Sequence, residues 1–385
     1  MDGSVGTGVL RMLNALDDVP AEQWDRLAQG HPFMQHAFLR ALHASGCAAS
    51  STGWRSLCLT LTRKDELVGA MLLYLKSHSR GEYVFDHGWA DAYHRNGLDY
   101  YPKLLCAVPF TPVSGPRLMA AEPQDKLHLA RAAIAVAQQN GLSSVHVLFP
   151  DSADLAPLEQ AGYLLRRDIQ FHWKNESYAA LGDFLHRLSK DKRKKILQDR
   201  KRVTQAGVRF EWLTGDAIDS AALDFFYHCY ETTYYEHGNA PYLTRDAFER
   251  INSALPGQLL LVRASMEDQP VACALNVVAG QTMYGRYWGS TRFVSGLHFE
   301  TCYTQSIEYC IAHGLACFEG GAQGEHKMAR GLRPAATYSA HWVDHPDFAR
   351  AIEAFLAEER AAVSKYQHVL DAHSPFKIDP VSTKG

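Results

Sequence analysis

Leu57-Cys58-Leu59-Thr60-Leu61-Thr62 is followed by the charged turn Arg63-Lys64-Asp65-Glu66 and then by Leu67-Val68-Gly69-Ala70-Met71-Leu72-Leu73-Tyr74. Two short apolar runs around a polar turn read as a β-hairpin. Far down the chain the same figure returns. Leu259-Leu260-Leu261-Val262-Arg263-Ala264 leads through Ser265-Met266-Glu267-Asp268-Gln269 into Pro270-Val271-Ala272-Cys273-Ala274-Leu275-Asn276-Val277-Val278. Each second strand carries a small residue early. A repeat of this kind decides architecture before any single residue does.

The surroundings of the two hairpins match as well. Pro32-Phe33-Met34 and Ala37-Phe38 stand upstream of the first, and Pro241-Tyr242-Leu243 and Ala247-Phe248 upstream of the second, each opening a helical pattern. Downstream, a third strand is expected at Glu82–Asp86 and at Thr282–Trp288. Next comes a helix closed by Gly141-Leu142 or Gly314-Leu315, a usual glycine stop. A short strand follows at Ser144–Phe149 and Ala316–Glu319. The order helix, three strands, helix, strand thus occurs twice, which predicts an α/β chain with mixed α+β sheets and helices packed against them. That order is compatible with the GNAT acetyltransferase fold, although a fold does not fix chemistry. The expected domains are 1–168, with a Tyr/Pro-rich insertion over about 89–123 that suits a cleft wall or lid, and 169–385, which carries the candidate site.

A chain of 385 residues is too long for one ordinary core, which agrees with two domains. Lys plus Arg number 39 against 42 Asp plus Glu, a net charge of −3 that excludes any global pull toward nucleic acid or membrane. An anionic partner must therefore meet a local patch. Met1–Gly8 lacks the basic start of a signal peptide, and no window approaches the roughly 18 apolar residues of a membrane span. The eight cysteines form no Cys-x-x-Cys pair and sit in apolar contexts, so they read as reduced core thiols. A cytoplasmic location is the expectation.

The densest chemistry lies at Glu319-Gly320-Gly321-Ala322-Gln323-Gly324-Glu325-His326-Lys327-Met328-Ala329-Arg330-Gly331-Leu332-Arg333-Pro334, just after the last repeated strand. Glycines at that density let backbone approach a ligand. Lys327 can stabilise a developing oxyanion, Arg330 can meet an anion, and Glu325 or His326 can take a proton from an attacking amine. Gln323 is a candidate substrate contact. A solvated surface loop is the plainer alternative.

A second segment joins a strand to a helix: Tyr284-Gly285-Arg286-Tyr287-Trp288-Gly289-Ser290-Thr291-Arg292, then Gly296-Leu297-His298-Phe299-Glu300. A helix N-terminus is a ready anion site. Arg286, Arg292 and Gly296 are the candidates for an anionic cofactor there, and Tyr287 and Trp288 for substrate. The acetyltransferase pyrophosphate pattern wants a second glycine that Arg292–His298 lacks. His298 and Glu300 read equally as catalytic groups or as groups that orient the helix.

Third, Arg187–Arg202 holds nine Lys or Arg against two Asp in sixteen residues, with Leu188 and Ile196 and then Val203 as a narrow apolar stripe. It reads as a basic helix. Lys192, Arg193, Lys194 and Lys195 can contact a nucleic-acid backbone or a diphosphate, or can simply be a solvated face. His341-Trp342-Val343-Asp344-His345 is a strand pattern rather than a ligand set, and no metal is expected. Neither a P-loop nor a nucleophile elbow is present.

Tyr-Leu-Lys-Ser-His at 74–78, Gly-Glu-Tyr-Val-Phe-Asp at 81–86, Tyr-Gly-Arg-Tyr-Trp-Gly at 284–289 and Gly-Ala-Gln-Gly-Glu-His-Lys at 321–327 resemble the FemAB-like group of peptidoglycan biosynthesis or recognition proteins. The resemblance runs from about His31 to Glu359. It implies two tandem GNAT-like acyl-CoA N-acyltransferase domains. Wider Fem relatives move an amino acid from aminoacyl-tRNA to an amino group of a peptidoglycan precursor. They carry Phe-Lys and then Phe-Gly after their final strand. Lys327 falls on that lysine, His326 replaces the phenylalanine, and Gly331-Leu332 stands for the closing pair. The implied function is acyl or aminoacyl transfer onto an amine. No tightly bound cofactor is implied; the co-substrate is an anionic donor, aminoacyl-tRNA or an acyl-CoA. An acetyl-CoA-dependent N-acetyltransferase and a non-catalytic module that recognises cell-wall precursor remain as alternatives.

Overall fold

In the computed structural model, which describes residues 8–322 and 324–377, the chain falls into two compact units. The first comprises the chain up to Asp168 together with Ala336–Ser364; the second comprises Ile169–Ala335 and the chain from Lys365. The chain runs through β1 (Val9–Leu13), α1 (Ala21–Ala28), α2 (His36–Ala44), β2 (Trp54–Arg63), β3 (Glu66–Lys76), α3 (His87–Arg95), β4 (Lys103–Cys106) and β5 (Met119–Ala120). It continues with α4 (Pro123–Gln139), β6 (Ser144–Leu148), α5 (Ser152–Ala161), β7 (Leu164–Lys174), α6 (Leu181–Arg187), α7 (Lys190–Gln205), β8 (Arg209–Thr214), α8 (Ser220–Glu236) and α9 (Arg245–Ala254). Then come β9 (Leu259–Met266), β10 (Gln269–Ala279) and β11 (Thr282–Ser290). One continuous helix follows, made of α10 (Leu297–Phe299), a π turn (Glu300–Thr304) and α11 (Gln305–Ala312). β12 (Cys317–Glu319), β13 (Arg333–Val343) and α12 (Pro346–Ala372) complete the order.

Both hairpins form where the paired apolar runs place them. Their turns are alike: Lys64 and Asp65 have φ of 49° and 63°, and Glu267 and Asp268 have 51° and 61°. Paired positive φ values match the twist of the flanking strands.

In the first unit, β2, β3 and β4 are antiparallel neighbours, β4 runs parallel to β6, and β6 pairs antiparallel with residues 339–343 of β13. Helix α4 covers one face. Its Leu129, Ala130, Ala133 and Ala137 share a helical stripe and bury against Leu59, Leu61, Met71, Leu73, Val145 and Val147. Each large aliphatic side chain buried in this way contributes about 1.5–3 kcal/mol. The second unit repeats the arrangement: β8, β9, β10 and β11 are antiparallel, β11 runs parallel to β12, and β12 pairs antiparallel with residues 172–174 of β7. Helix α8 presses on β11 so closely that a Cβ at Gly289 would lie 1.9 Å from the Cys229 carbonyl oxygen, so only glycine fits.

Three expectations need correction. The third strand of the first repeat is not Glu82–Asp86, where Tyr83 takes φ of 61° in a turn; it is β4, inside the stretch read as an insertion, which also holds α3 and β5. The reason is electrostatic. Glu82 and Asp86 are 4% and 3% exposed, and both accept from Lys103 Nζ, Glu82 at 2.8 Å. Lys76, also fully buried, lies 3.9 Å from Glu82 and 3.4 Å from the centre of the Trp54 ring. The family strings at 74–78 and 81–86 thus form a closed ionic cluster rather than a strand pair. Second, residues 336–364, read as part of the C-terminal domain, belong to the first unit. Third, the basic helix starts at Lys190 rather than Arg187: Arg187 ends α6, and Leu188-Ser189 separate it from α7, which carries the other eight cations. None of the eight cysteines forms a disulfide, and seven are buried.

Candidate functional site

The parallel register of β11 and β12 is Thr282 with Cys317, Met283 with Phe318 and Tyr284 with Glu319. There β12 ends, while β11 continues on β10 to Ser290. From Gly285 onward, among the described residues, β11 therefore has no strand beside it on that flank. Opposite Leu275 and Asn276 the register shifts, leaving Arg286 as an extra residue in β11. Bulges of this kind re-aim side chains beside functional sites.

The chain leaving β12 fills the mouth of this gap. Lys327, on the 3-10 turn Glu325–Arg330, is 4% exposed, and its Nζ donates to the Gly321 carbonyl at 2.8 Å. A Cβ on Gly321 would sit 3.5 Å from the Gly285 carbonyl oxygen and 3.9 Å from Lys327 Nζ, which places the ammonium where the two strands part. Burial lowers the Lys327 pKa to about 8, partly offset by Cys302. The group is still mainly a cation at neutral pH.

Strand β7 brings a second set of groups. Its antiparallel register puts His172 opposite Glu319 and Lys174 opposite Cys317. His172 Nε2 is 3.9 Å from Glu319 Oε2 and has no hydrogen-bond partner among the described residues. Burial, then Lys174 and Lys327, hold the His172 pKa down at about 4, so the ring is neutral. Burial pushes Glu319 up to about 7, against the pull of Lys174 and Arg286. Donor atoms of His172, Cys317 and Glu319 lie within 4.8 Å of one another, a spacing that a metal ion can use. Here Lys174, hydrogen-bonded with Cys317, and the nearby Arg286 and Lys327 already supply positive charge, which disfavours a dication.

The other expected site residues are dispersed around this centre. His326 is exposed; its Nε2 lies 3.3 Å from the Tyr303 hydroxyl and its ring leans on Phe299 and His298. Burial, then His326 and Arg330, lower the His298 pKa to about 4, and Trp288 packs on its ring. Glu325 is exposed and accepts a hydrogen bond from the Tyr366 hydroxyl. Glu300 is 2% exposed, accepts from Gln305 at 3.0 Å and faces Arg200 at 3.5 Å, an orienting role inside the helix.

Arg330 corrects an expectation. It is 2% exposed, paired with Asp199 of α7 at 2.8 Å and stacked 3.9 Å over Phe299, so it fastens the loop after β12 to α7 rather than facing an external anion. Gly296, with φ of 89°, is likewise packed on Asp199: a Cβ there would come within 3.1 Å of the Asp199 Cβ. Tyr287 packs edge-on against Tyr230 and Phe248, and the Trp288 carbonyl accepts from Thr233 at 3.0 Å. Arg286 is half-buried, 5.2 Å from the Tyr287 ring, and Arg292 is exposed. Lys192 and Arg193 are half-buried on α7, and Lys194 and Lys195 are exposed. Gln323 lies outside the described residues. Sequence reasoning singled out neither His172 nor Asp199 and gave Glu319 no role of its own; the structure brings all three to this part of the unit. The strand-end position of Glu319 was a usable signal, whereas His172 became visible only through the β7–β12 pairing.

Comparison with known proteins agrees with this architecture. The FemAB-like family model, described as peptidoglycan biosynthesis/recognition, matches residues 15–378. Among solved structures, FemX is similar at a TM-score of 0.55 and 13% identity, over 89% of this chain and 100% of that one. L-PGS from Bacillus licheniformis is similar at 0.51 and 10% identity, over 83% and 96% of the respective chains. A conserved protein of unknown function from Bacteroides thetaiotaomicron is similar at 0.50 and 12% identity, over 87% and 100%. No curated protein sequence matches. The fold is a mixed α/β one in which the same strand arrangement occurs in both units. Among the described residues, no helix is long and apolar enough to cross a membrane.

Proposed function

The chain belongs to the FemAB-like family, and from that premise we propose that it transfers an aminoacyl or acyl group from a large anionic activated donor onto an amine, at the gap between β11 and β12. Family membership supports peptidoglycan biosynthesis as the general setting, with a precursor amine as acceptor. The observation that carries the proposal is Lys327. A buried ammonium whose one hydrogen bond goes to a neutral carbonyl keeps donors available for a carbonyl oxygen that becomes negative during attack. Aminolysis of an activated ester needs orientation and oxyanion support above all.

The basic face of α7 supports an anionic donor. Among the described residues, Lys192, Arg193, Lys194 and Lys195 make no ion pair, so their charge is available for a phosphate backbone. We favour aminoacyl-tRNA as the donor over an acyl-CoA because Gly296, the lone glycine of the strand-to-helix turn, is occupied in packing on Asp199. No tightly bound cofactor enters the scheme.

The test sets acetyl-CoA, a UDP-linked muropeptide and bulk aminoacyl-tRNA side by side, in thermal shift, direct binding and turnover. Salt-sensitive binding of tRNA together with amide formation on the muropeptide is the expected result. Turnover with acetyl-CoA alone would make the chain an N-acetyltransferase. Binding of the muropeptide without turnover by any donor would leave a recognition module.

A further inference from the structure

Amide formation releases a proton from the attacking nitrogen, and the groups first expected to receive it are poorly placed. Glu325 is exposed and engaged by Tyr366, and His326 is exposed and turned toward Tyr303. Glu319 differs from both. It ends β12 at the last register position shared with β11, two residues before the carbonyl that holds Lys327. Its side chain is 17% exposed, so the carboxylate is reachable from the gap, and among the described residues it accepts no hydrogen bond.

The groups facing it are His172 and Lys174 from β7, Arg286 and Tyr284 from β11 and Cys317 from its own strand, with Lys327 beyond His172. The cations keep the carboxylate form accessible, and burial keeps it basic.

We propose that Glu319 accepts the proton shed by the attacking amine, with His172 and Lys174 as positioning residues. The inference rests on the transfer reading given above. In the step, the amine nitrogen forms the new C–N bond and the donor's ester C–O bond breaks. The nitrogen's surplus proton passes to Glu319, while Lys327 faces the oxyanion. The departing alkoxide takes a proton from water, and Glu319 returns its proton to solvent, so no other reactant is needed. A proton acceptor whose pKa lies near the working pH is the efficient kind.

The experiment compares wild type, Glu319→Gln and Glu319→Asp in kcat/KM against pH, with aminoacyl-tRNA and UDP-linked muropeptide as substrates. Infrared difference spectra of wild type against Glu319→Gln follow the carboxyl directly. Wild type is expected to show an acidic limb near 7 from Glu319 and an alkaline limb near 8 from Lys327. Glu319→Gln is expected to lower kcat about 100-fold or more and to abolish the acidic limb alone. Glu319→Asp restores the limb with reduced kcat, and His172→Gln shifts its midpoint without removing it. An active wild type with an unchanged Glu319→Gln profile overturns the role of Glu319 and leaves the transfer reading standing, as does an infrared midpoint near the ordinary carboxylate value. Wild type inert with every donor overturns the transfer reading, and the role of Glu319 with it.

Discussion

Each unit carries a buried lysine close to its parallel strand pair, and the two are held in opposite ways. Lys103 of the first unit donates to Ser79 and Glu82 and to Asp86, whose carboxylate also accepts from the Tyr100 hydroxyl at 2.7 Å. The two carboxylates outweigh the effect of burial and raise its pKa. Lys327 of the second unit donates to one backbone carbonyl, and burial lowers its pKa. The nearby carboxylate, Glu319, is not bonded to it. One copy of the repeat has turned its charges into structure, and the other has left them short of partners. Buried groups with unbalanced charge are the ones that can do chemistry, because a substrate can supply what the fold withholds.

The comparison breaks first, if it is wrong, at Lys103. Lys103→Met strands Glu82 and Asp86 without their main counter-charge and is expected to cost about 3–5 kcal/mol in urea denaturation. Lys327→Met removes an ammonium that the fold holds at a disadvantage, so its stability should change by no more than about 1 kcal/mol. Equal losses would erase the distinction. Next in size is catalysis: Lys327→Ala should lower transfer about 10²–10³-fold, or roughly 2.7–4 kcal/mol, with the melting temperature nearly unmoved.

A pH experiment sharpens the structural half. His146 and His341 of the first unit share a hydrogen bond between their Nδ1 atoms at 2.7 Å, and burial, then Lys103, brings His146 down to about 3. Between 6.5 and about 3 the unfolded chain binds a proton there that the folded chain refuses. Stability is therefore complete above 6.5 and falls as pH drops through that window, by on the order of 1 kcal/mol per pH unit. His146→Gln should flatten the slope measured by denaturant titration across pH. The smallest effect belongs to α7. Arg193→Glu with Lys194→Glu should leave stability within about 0.5 kcal/mol and weaken tRNA binding, reducing the salt slope by about one for each phosphate that is no longer neutralised.

The sequence made the repeated hairpins, the short closing strands and the glycine-rich stretch that carries Lys327 legible, because each is written in local pattern: an apolar run, a turn, a cluster of glycines after a strand. It concealed what depends on distant partners. Tyr83-Val84-Phe85 is a short apolar run like that of a strand, yet Glu82 and Asp86 turn inward to Lys103. Asp199 reads as one more polar residue on a basic helix, and only its pairing with Arg330 sets it apart. His172 and Glu319 meet only because β7 pairs with β12. Pattern reports which residues form a strand; it does not report which strand lies beside it.

The late strand of the first unit also sets a timetable for the newborn chain. His146 and the His341 that completes its pairing are 195 residues apart. At about 5–20 residues per second on the ribosome, β6 waits roughly 10–40 seconds for β13 to be synthesised. During that interval the first unit exposes an open strand edge, the feature that invites pairing with a neighbouring nascent chain. Until β13 is made, the uncovered flank of β6 is the first unit's unfinished surface.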